Sequence, residues 1–289
     1  MFAVRSGKWF GSRRLPRPYE DLEDQGLGFD MTTLLERRRV LSSLGLGAAA
    51  FGLAACEAAT TPGAASSSSP PVLAEIPDEA AGPFPGDGSN GPDVLQESGI
   101  LRSDIRSSFG TGSATAEGVP MTFELTLLDV AGAPMEGAAV YVWHCDRDGN
   151  YSLYSDGVEN ENYLRGVQIA DPDGRVRFTS IFPACYPGRW PHVHFEVYPD
   201  QESITDPANA IAVSQAALPA DAADAVYATA GYETSARHLA RVSLGGDNVF
   251  GDDGGASQLA AVTGSAESGY AATLTAAVDA ATRPAASER

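Results

Sequence analysis

The stretch MTFELTLL, residues 121–128, alternates apolar and polar side chains with a period of two. This period turns successive side chains to opposite faces of a β-strand, so one face of the strand is predicted to point into a core. Strand-like segments recur at residues 138–143, 164–170, 176–179 and 192–198. Turn-forming clusters separate them, among them AGAP at 131–134, DRDGN at 146–150 and DPDG at 171–174.

Two later segments complete the expected fold. Residues 258–263 and 270–278 have the pattern of a closing hairpin, and a short helix is predicted at residues 220–231, where Ala, Asp and Val dominate. Short strands with turn chemistry between them favour an all-β class: one antiparallel β-sandwich with short helical insertions.

The charge balance limits the partners. The chain has 38 Asp and Glu against 19 Lys and Arg, a net charge of -19. Such a surface repels phosphate backbones, so no nucleic-acid partner is expected.

An export signal is predicted in residues 31–56. Arg37 and the two arginines after it precede an apolar run, residues 40–55, that is too short for a membrane span. Small residues lie directly before Cys56, as in bacterial lipoprotein signals, so we expect Cys56 to be lipidated and the protein to be periplasmic or on the cell surface. The arginines also fit a loose twin-arginine pattern. An uncleaved anchor helix is the alternative.

The remaining segments follow from composition. Residues 1–30 do not belong to such a signal and are interpreted as an extension before a true start at Met31. Residues 57–79, rich in Ser, Pro and Ala, predict a flexible linker. The sandwich domain is expected at residues 80–280 and a disordered tail at 281–289. The lipid anchor is the only membrane attachment expected.

With Cys56 lipidated, Cys145 and Cys185 are the remaining cysteines. Two thiols in an oxidising compartment can form a disulfide. Two free buried thiols are the alternative.

Two tyrosines and two histidines are the candidate metal ligands: Tyr151, Tyr186, His192 and His194. Histidines at i and i+2 of a strand point to one face. Alone, this pair allows zinc, copper or iron, or a surface pair without a metal. Tyr186 lies six residues before His192 in a Pro- and Gly-rich loop that can bring a phenol beside the strand. Phenolates are hard ligands, so the set favours a ferric ion.

The chain resembles the intradiol ring-cleaving dioxygenases, which include catechol and protocatechuate enzymes, and most closely their exported, single-subunit branch. The motifs that carry the resemblance are WHCDRDGNYS at 143–152, LRGVQ at 164–168, GRVRFT at 174–179 and YPGRWPHVH at 186–194. It covers about residues 80–280. By position, it implies that Tyr151 and His192 are the equatorial iron ligands, and that Tyr186 and His194 are the axial ones.

Three further residues take roles from the resemblance. Arg189 matches an arginine that faces the substrate ring, Gln215 matches a glutamine near that arginine, and Phe84 lines the substrate mouth. Tyr186 is expected to leave the metal and to take a substrate proton. The segment between Tyr186 and His192 is shorter than in the cytoplasmic catechol enzymes, which predicts a more open pocket.

The resemblance implies a non-haem Fe(III) dioxygenase that inserts both atoms of O2 into a catechol-type aromatic diol and cleaves the ring to a muconate-type diacid. No organic cofactor is expected. The alternative is an exported β-sandwich module that binds carbohydrate, a surface or a metal without turnover, since the fold alone does not exclude it. A homodimer is compatible with both interpretations.

Overall fold

The protein is described by a computed structural model that covers residues 72–284 and, before them, residues 9–10 and 13–14. The N-terminal unit, Met1–Ser66, has among its described residues an antiparallel pair of two-residue strands, β1 (Trp9–Phe10) and β2 (Arg13–Arg14). The predicted export signal, its twin-arginine pattern and Cys56 lie outside the described residues. Within the covered ranges, no helix has the length and hydropathy needed to cross a membrane.

Eight strands form two four-stranded sheets in the second unit. The first sheet contains β3 (Pro120–Asp129), β6 (Arg175–Ile181), β9 (Ala261–Ser265) and β10 (Gly269–Val278), in the order β6-β3-β10-β9. The second contains β4 (Ala139–Trp143), β5 (Arg165–Ile169), β7 (His192–Tyr198) and β8 (Ala212–Ala217), in the order β5-β4-β7-β8. Adjacent strands are antiparallel except β3 and β10, which are parallel. The predicted β-sandwich is confirmed.

The main core lies between the sheets and follows the predicted alternation. Phe123 and Leu125 of β3 are buried in one cluster with Val142 of β4 and Val193 and Phe195 of β7. The polar residues between them in β3 lie on the other face and are only partly buried. A period-two pattern thus determines which face of β3 enters the core.

The second sheet is buried on both faces. Tyr141, Trp143 and Tyr198 lie on its outer face, in a second apolar cluster that includes residues from the segments 81–100 and 145–151. All seven residues of β7 are therefore buried, including its two histidines. Polar side chains in such a place must find partners or bind a ligand.

The helices and the last strands are close to their predicted positions. The helix expected at 220–231 is α1 (Ala220–Tyr227), and a second helix, α2 (Glu233–Leu239), was not predicted. The closing hairpin is β9 and β10, although β9 begins three residues later than expected. Strand β8 was not predicted either, because its sequence AVSQAA has short side chains without clear alternation.

The ordered domain begins earlier than the predicted boundary at residue 80. Residues 72–79, assigned to the linker, lie against the sandwich: the Leu73 and Ile76 N–H groups each donate a 2.8 Å hydrogen bond to a backbone carbonyl of the sandwich, and Ile76 is buried. These apolar side chains distinguish the segment from the Ser- and Ala-rich stretch before it. Thr282, in the predicted tail, donates to Glu75 at 3.1 Å.

Candidate metal centre

The outer face of the second sheet carries a cross-strand row of directly paired residues: Arg165 on β5, Trp143 on β4, His194 on β7 and Gln215 on β8. Directly paired residues of antiparallel strands have their side chains on the same face. His192 lies two residues before His194 and shares this face, because Val193 between them points into the inter-sheet core. The predicted orientation of the histidine pair is therefore the observed one.

Two loops bring the tyrosines to this face. Tyr151 follows the turn at 146–150, where Asp146 Oδ1 accepts two backbone N–H groups at 2.9 Å. Gly149 in that turn has φ of 92°, in the left-handed region that favours glycine. The Asp146 carbonyl also accepts the Ala184 N–H at 3.1 Å, which attaches the loop of Tyr186 to the loop of Tyr151.

Four heteroatoms converge at the point where these elements meet. Tyr151 Oη lies 3.3 Å from Tyr186 Oη, 3.4 Å from His192 Nε2 and 3.3 Å from His194 Nε2. His192 Nε2 lies 3.3 Å from Tyr186 Oη and 3.0 Å from His194 Nε2. The structure thus brings together all four predicted ligands.

Both histidines are electrically neutral in this environment. Burial lowers the pKa of His192 well below its usual range, and the Arg189 cation lowers it further. Burial also lowers the pKa of His194 well below its usual range, and the neighbouring His192 lowers it further. The His192 Nδ1 atom bonds to the Trp190 carbonyl, so Nδ1 carries the proton and Nε2 presents its lone pair to the site.

The buried tyrosine needs a cation before it can ionise. Burial raises the pKa of Tyr151 well above its usual value, and the neighbouring Tyr186 raises it further. A metal ion at this point would reverse that balance, because it attracts the phenolate. Metal binding at this point would therefore be coupled to proton release.

The donor set fits a hard, highly charged ion. Two oxygens and two nitrogens separated by 3.0–3.4 Å match the spacing of ligands that each lie about 2 Å from a shared ion. Between residues 72 and 284, no cluster of three or more His, Cys, Asp or Glu side chains is placed to bind a metal. A metal ion bound beside His192 and His194 would therefore need the two tyrosines as further ligands. Two phenolate ligands favour a ferric ion.

Arg189 is held beside this donor set by two buried side chains. Its Nη2 donates to Gln215 Oε1 at 2.6 Å, and its Nε donates to Asp247 Oδ2 at 3.0 Å. Burial alone would lower the pKa of Arg189, but its interactions with Tyr186 and with the Asp247 carboxylate outweigh burial, so the pKa is raised. The predicted proximity of Arg189 and Gln215 is observed.

Asp247 was not predicted from the sequence as a residue of the site. Its Oδ2 also accepts the Trp190 N–H at 2.6 Å, and its Oδ1 accepts the Val249 N–H at 2.8 Å. Its local sequence, GGDNVF at 245–250, has the signal of a turn but nothing that points to Arg189, 58 residues away.

Phe84 lies at the edge of the site, partly buried. Its ring centroid is 5.0 Å from that of Tyr151 and 5.3 Å from that of Tyr154. These distances are typical of aromatic packing, so the Phe84 ring extends the wall next to Tyr151.

Both cysteines of the domain are free and buried. The Cys145 thiol donates to the Ala184 carbonyl at 3.7 Å, whereas the Cys185 thiol donates to the Arg189 carbonyl at 3.4 Å. The disulfide considered from the sequence is not formed, because the two thiols are directed to different backbone carbonyls. Burial raises the pKa of Cys185 to about 12.

Known proteins with similar sequences include catechol and chlorocatechol 1,2-dioxygenases. Residues 90–201 match the family model described as Dioxygenase, a segment that includes both tyrosines and both histidines. The chain is 38% identical over 73 residues to a chlorocatechol 1,2-dioxygenase of Rhodococcus opacus, which is 25% of this chain and 28% of that protein. It is 39% identical over 59 residues to a catechol 1,2-dioxygenase of Candida albicans, 20% of each. The matched segments thus span about a quarter of the length of these curated relatives.

A solved structure extends the likeness to the whole domain. An intradiol ring-cleavage dioxygenase from Tetranychus urticae superposes with a TM-score of 0.59 and 23% identity, over 73% of this chain and 97% of that one. At this identity the likeness concerns the fold. The chain is therefore related in sequence to dioxygenases over residues 90–201, which include the four candidate ligands, and it shares the fold of an intradiol ring-cleavage dioxygenase over most of its length. The resemblance to this family is confirmed to that extent.

Proposed function

We propose that the protein is a non-haem ferric dioxygenase that cleaves catechol-type aromatic diols between their two hydroxylated carbons. The observation that carries this proposal is the convergence of two phenol oxygens and two imidazole nitrogens, with spacings of 3.0–3.4 Å, next to a buried arginine. The relatedness to catechol and chlorocatechol 1,2-dioxygenases supports the same reaction class.

A ferric ion bound by Tyr151, Tyr186, His192 and His194 would supply Lewis acidity and a template for both oxygens of the diol. Tyr186 is partly exposed, whereas Tyr151 is buried. Tyr186 is therefore the tyrosine with room to move when a substrate enters, and its Oη, held as a phenolate by the ion, would be the atom that accepts a substrate hydroxyl proton.

Arg189 stabilises the negative charge that develops on the substrate ring. Its Nε and Nη2 are occupied by Asp247 and Gln215, while within residues 72–284 its Nη1 makes no hydrogen bond. A guanidinium held at two nitrogens presents the third in a fixed direction, and such a donor costs no reorganisation during the reaction. Gln215 orients Arg189, and Phe84 limits the space around the ring.

We also propose that the enzyme is exported and tethered through a lipid on Cys56. The support is the sequence alone: the arginines at 37–39, the apolar run at 40–55 and the small residues before Cys56. The substrate would then be an extracellular or periplasmic catechol. Palmitate labelling of the wild-type chain and of Cys56→Ser in a bacterial host tests this, and equal labelling of both would contradict it.

The decisive experiment is oxygen uptake by the iron-loaded full chain with catechol and substituted catechols. We expect one O2 consumed per diol and, with ¹⁸O2, two labelled oxygens in a muconate-type product identified by mass spectrometry. The purified protein should be burgundy because of phenolate-to-iron charge transfer. A coloured protein that binds catechols without oxygen uptake would be a binding module, and a colourless one after iron reconstitution would refute the site itself.

A further inference from the structure

Arg165 is a buried cation whose side-chain hydrogen bonds, in the part of the chain that the structure describes, all go to neutral oxygens. It is 1% exposed. Its Nε and Nη2 donate to Ser152 Oγ at 3.0 Å and to the Ser152 carbonyl at 2.9 Å. Its Nη1 donates to Tyr141 Oη at 2.9 Å and to the Pro85 carbonyl at 2.7 Å, and Nη2 also donates to the Phe84 carbonyl at 3.0 Å. Burying a guanidinium costs free energy, and between residues 72 and 284 no carboxylate forms an ion pair with this one, so the five hydrogen bonds are its compensation.

Two of these acceptors belong to a segment that crosses the candidate site. This segment, residues 80–86, is here called the strap. At one end Gln215 Nε2 donates to the Ala80 carbonyl at 2.9 Å. In the middle, a Cβ placed on Gly82 would lie 3.5 Å from His194 Cε1. At the other end Arg165 binds the Phe84 and Pro85 carbonyls.

The strap thus runs parallel to the cross-strand row that starts at Arg165 and ends at Gln215. The two end residues of the row bind the strap, while the ligand His194 lies between them. At Gly86, φ is 70° and an added Cβ would lie 2.7 Å from Arg165 Nη1, so only glycine allows this approach. The Gly86 N–H donates to Tyr154 Oη at 2.9 Å.

The same guanidinium fixes the neighbour of a candidate metal ligand. Ser152 follows Tyr151 directly, and its carbonyl and hydroxyl both accept from Arg165. The planar guanidinium of Arg165 therefore connects the backbone next to Tyr151 to the backbone at Phe84. The ring centroids of Tyr151 and Phe84 are 5.0 Å apart. A lysine has no planar fork and cannot reproduce this set of bonds.

We propose that Arg165 is a positioning residue that determines substrate selectivity, because it holds the strap and thereby sets the distance between the Phe84 wall and the Tyr151 ligand. The role in selectivity rests on the proposed function, because selectivity can be measured only if the protein turns over catechols. The hydrogen bonds that hold the strap come from Arg165 and Gln215, so its position can be measured without turnover.

Hydrogen exchange of the metal-free full chain, followed by mass spectrometry, tests the strap directly. In Arg165→Lys we expect exchange in residues 80–90 to be about tenfold faster than in wild type, because charge-assisted bonds to the strap are lost. Arg102→Lys is the matched control, since Arg102 also donates to backbone carbonyls, those of Arg165, Ser107 and Asn162, but to none in the strap. It should leave exchange in residues 80–90 as in wild type.

A milder variant covers the case in which Arg165→Lys does not fold. Tyr141→Phe removes a hydroxyl that donates to the Pro85 carbonyl at 2.7 Å and accepts from Arg165. We expect exchange in residues 80–90 to be about threefold faster in this variant. Wild-type exchange in that segment in the folded variants would overturn the proposal, whether or not the enzyme turns over.

Kinetics test the consequence for substrates. In iron-loaded enzyme, Arg165→Lys should shift the kcat/KM ratio of catechol to 4-tert-butylcatechol about tenfold toward the bulkier diol, mainly through KM, and Phe84→Ala should shift it in the same direction. An unchanged ratio in an active Arg165→Lys enzyme would overturn the role in selectivity. Absence of turnover in the wild-type enzyme would instead refute the proposed function. The hydrogen-exchange result would then still show whether Arg165 holds the strap in place.

Discussion

Trp143 lies flat against His194, with ring centroids 4.8 Å apart and an angle of 7° between the ring planes. His194 Nδ1 is buried and, among the residues that the structure describes, has no hydrogen-bond partner. Stacking therefore takes the place of the hydrogen bond that commonly orients a metal-binding imidazole. Tyr141 also stacks on Trp143, with ring centroids 4.9 Å apart, so two rings hold the indole in place.

This relationship predicts how metal affinity depends on residue 143. Trp143→Leu removes the flat surface that orients His194, so we expect metal affinity to fall about tenfold, the usual effect of losing an outer contact of a ligand. Trp143→Phe retains a ring that can stack on His194, so its metal affinity should fall less than that of Trp143→Leu. Competition with a chelator measures both, and wild-type affinity in Trp143→Leu would contradict the role of stacking.

The two tyrosines are expected to contribute unequally to colour. Tyr186→Phe should weaken the visible phenolate-to-iron band and slow ring cleavage, while Tyr151→Phe, which removes the oxygen lying 3.3–3.4 Å from the other three donors, should reduce iron binding itself. Absorption spectra, iron content and oxygen uptake separate these outcomes. Tyr154→Phe is the control, because Tyr154 Oη bonds to Asn90 and Gly86 rather than to the donor set. Unchanged colour and rate in Tyr186→Phe would remove that residue from the site.

Asp247 is expected to matter for stability and for catalysis. Asp247→Asn places an amide where a carboxylate accepts the Arg189 and Trp190 N–H groups. Breaking this buried pair should lower the free energy of unfolding by about 3 kcal/mol, and kcat should fall about tenfold because Arg189 loses its fixed direction. The exposed pair of Asp104 and Arg106 is the control, and Asp104→Asn should cost under about 1 kcal/mol. Urea unfolding and steady-state kinetics measure both, and equal effects of the two substitutions would contradict this prediction.

Glu79 makes stability depend on pH. Burial, followed by the charge of Asp252, raises its pKa from 4.5 to about 7. A carboxyl with a raised pKa binds its proton more tightly in the folded state, so its contribution to stability is present below pH 4.5 and is lost as the pH rises toward 7. Glu79→Gln keeps the side-chain oxygen that accepts from Gln258 but carries no charge. The melting temperature of wild type relative to Glu79→Gln should therefore fall between pH 5 and pH 8, and a constant difference would disprove the prediction.

The two buried thiols should be unreactive in the native state. Their pKa values are raised by burial, and both residues are at most 2% exposed. In a Cys56→Ser background, Ellman's reagent should detect almost no thiol in native protein and two thiols after denaturation without reductant. Two thiols found only after reduction would indicate a disulfide between Cys145 and Cys185.

The fold class and the ligand set follow from local sequence. Alternation in residues 121–128 determines which face of β3 is buried, and His-x-His on a strand places two imidazoles on one face whatever surrounds them. Turn chemistry at 146–150 predicts the bend from which Tyr151 projects. Strand β8, which contains Gln215, was not predicted because its sequence AVSQAA shows no clear alternation of apolar and polar residues.

Sequence by itself determined the residue types that can bind a ferric ion, since ligand chemistry belongs to the side chains. Only the tertiary structure decided what orients them: the stack of Trp143 on His194, the pairing of Arg189 with Asp247 across 58 residues, and the bond from Gln215 to Ala80 across 135. These contacts depend on strand register and on the path of the segment at residues 80–86. Contacts between segments so far apart in sequence result from the packing of the whole domain, and no short stretch of sequence encodes them.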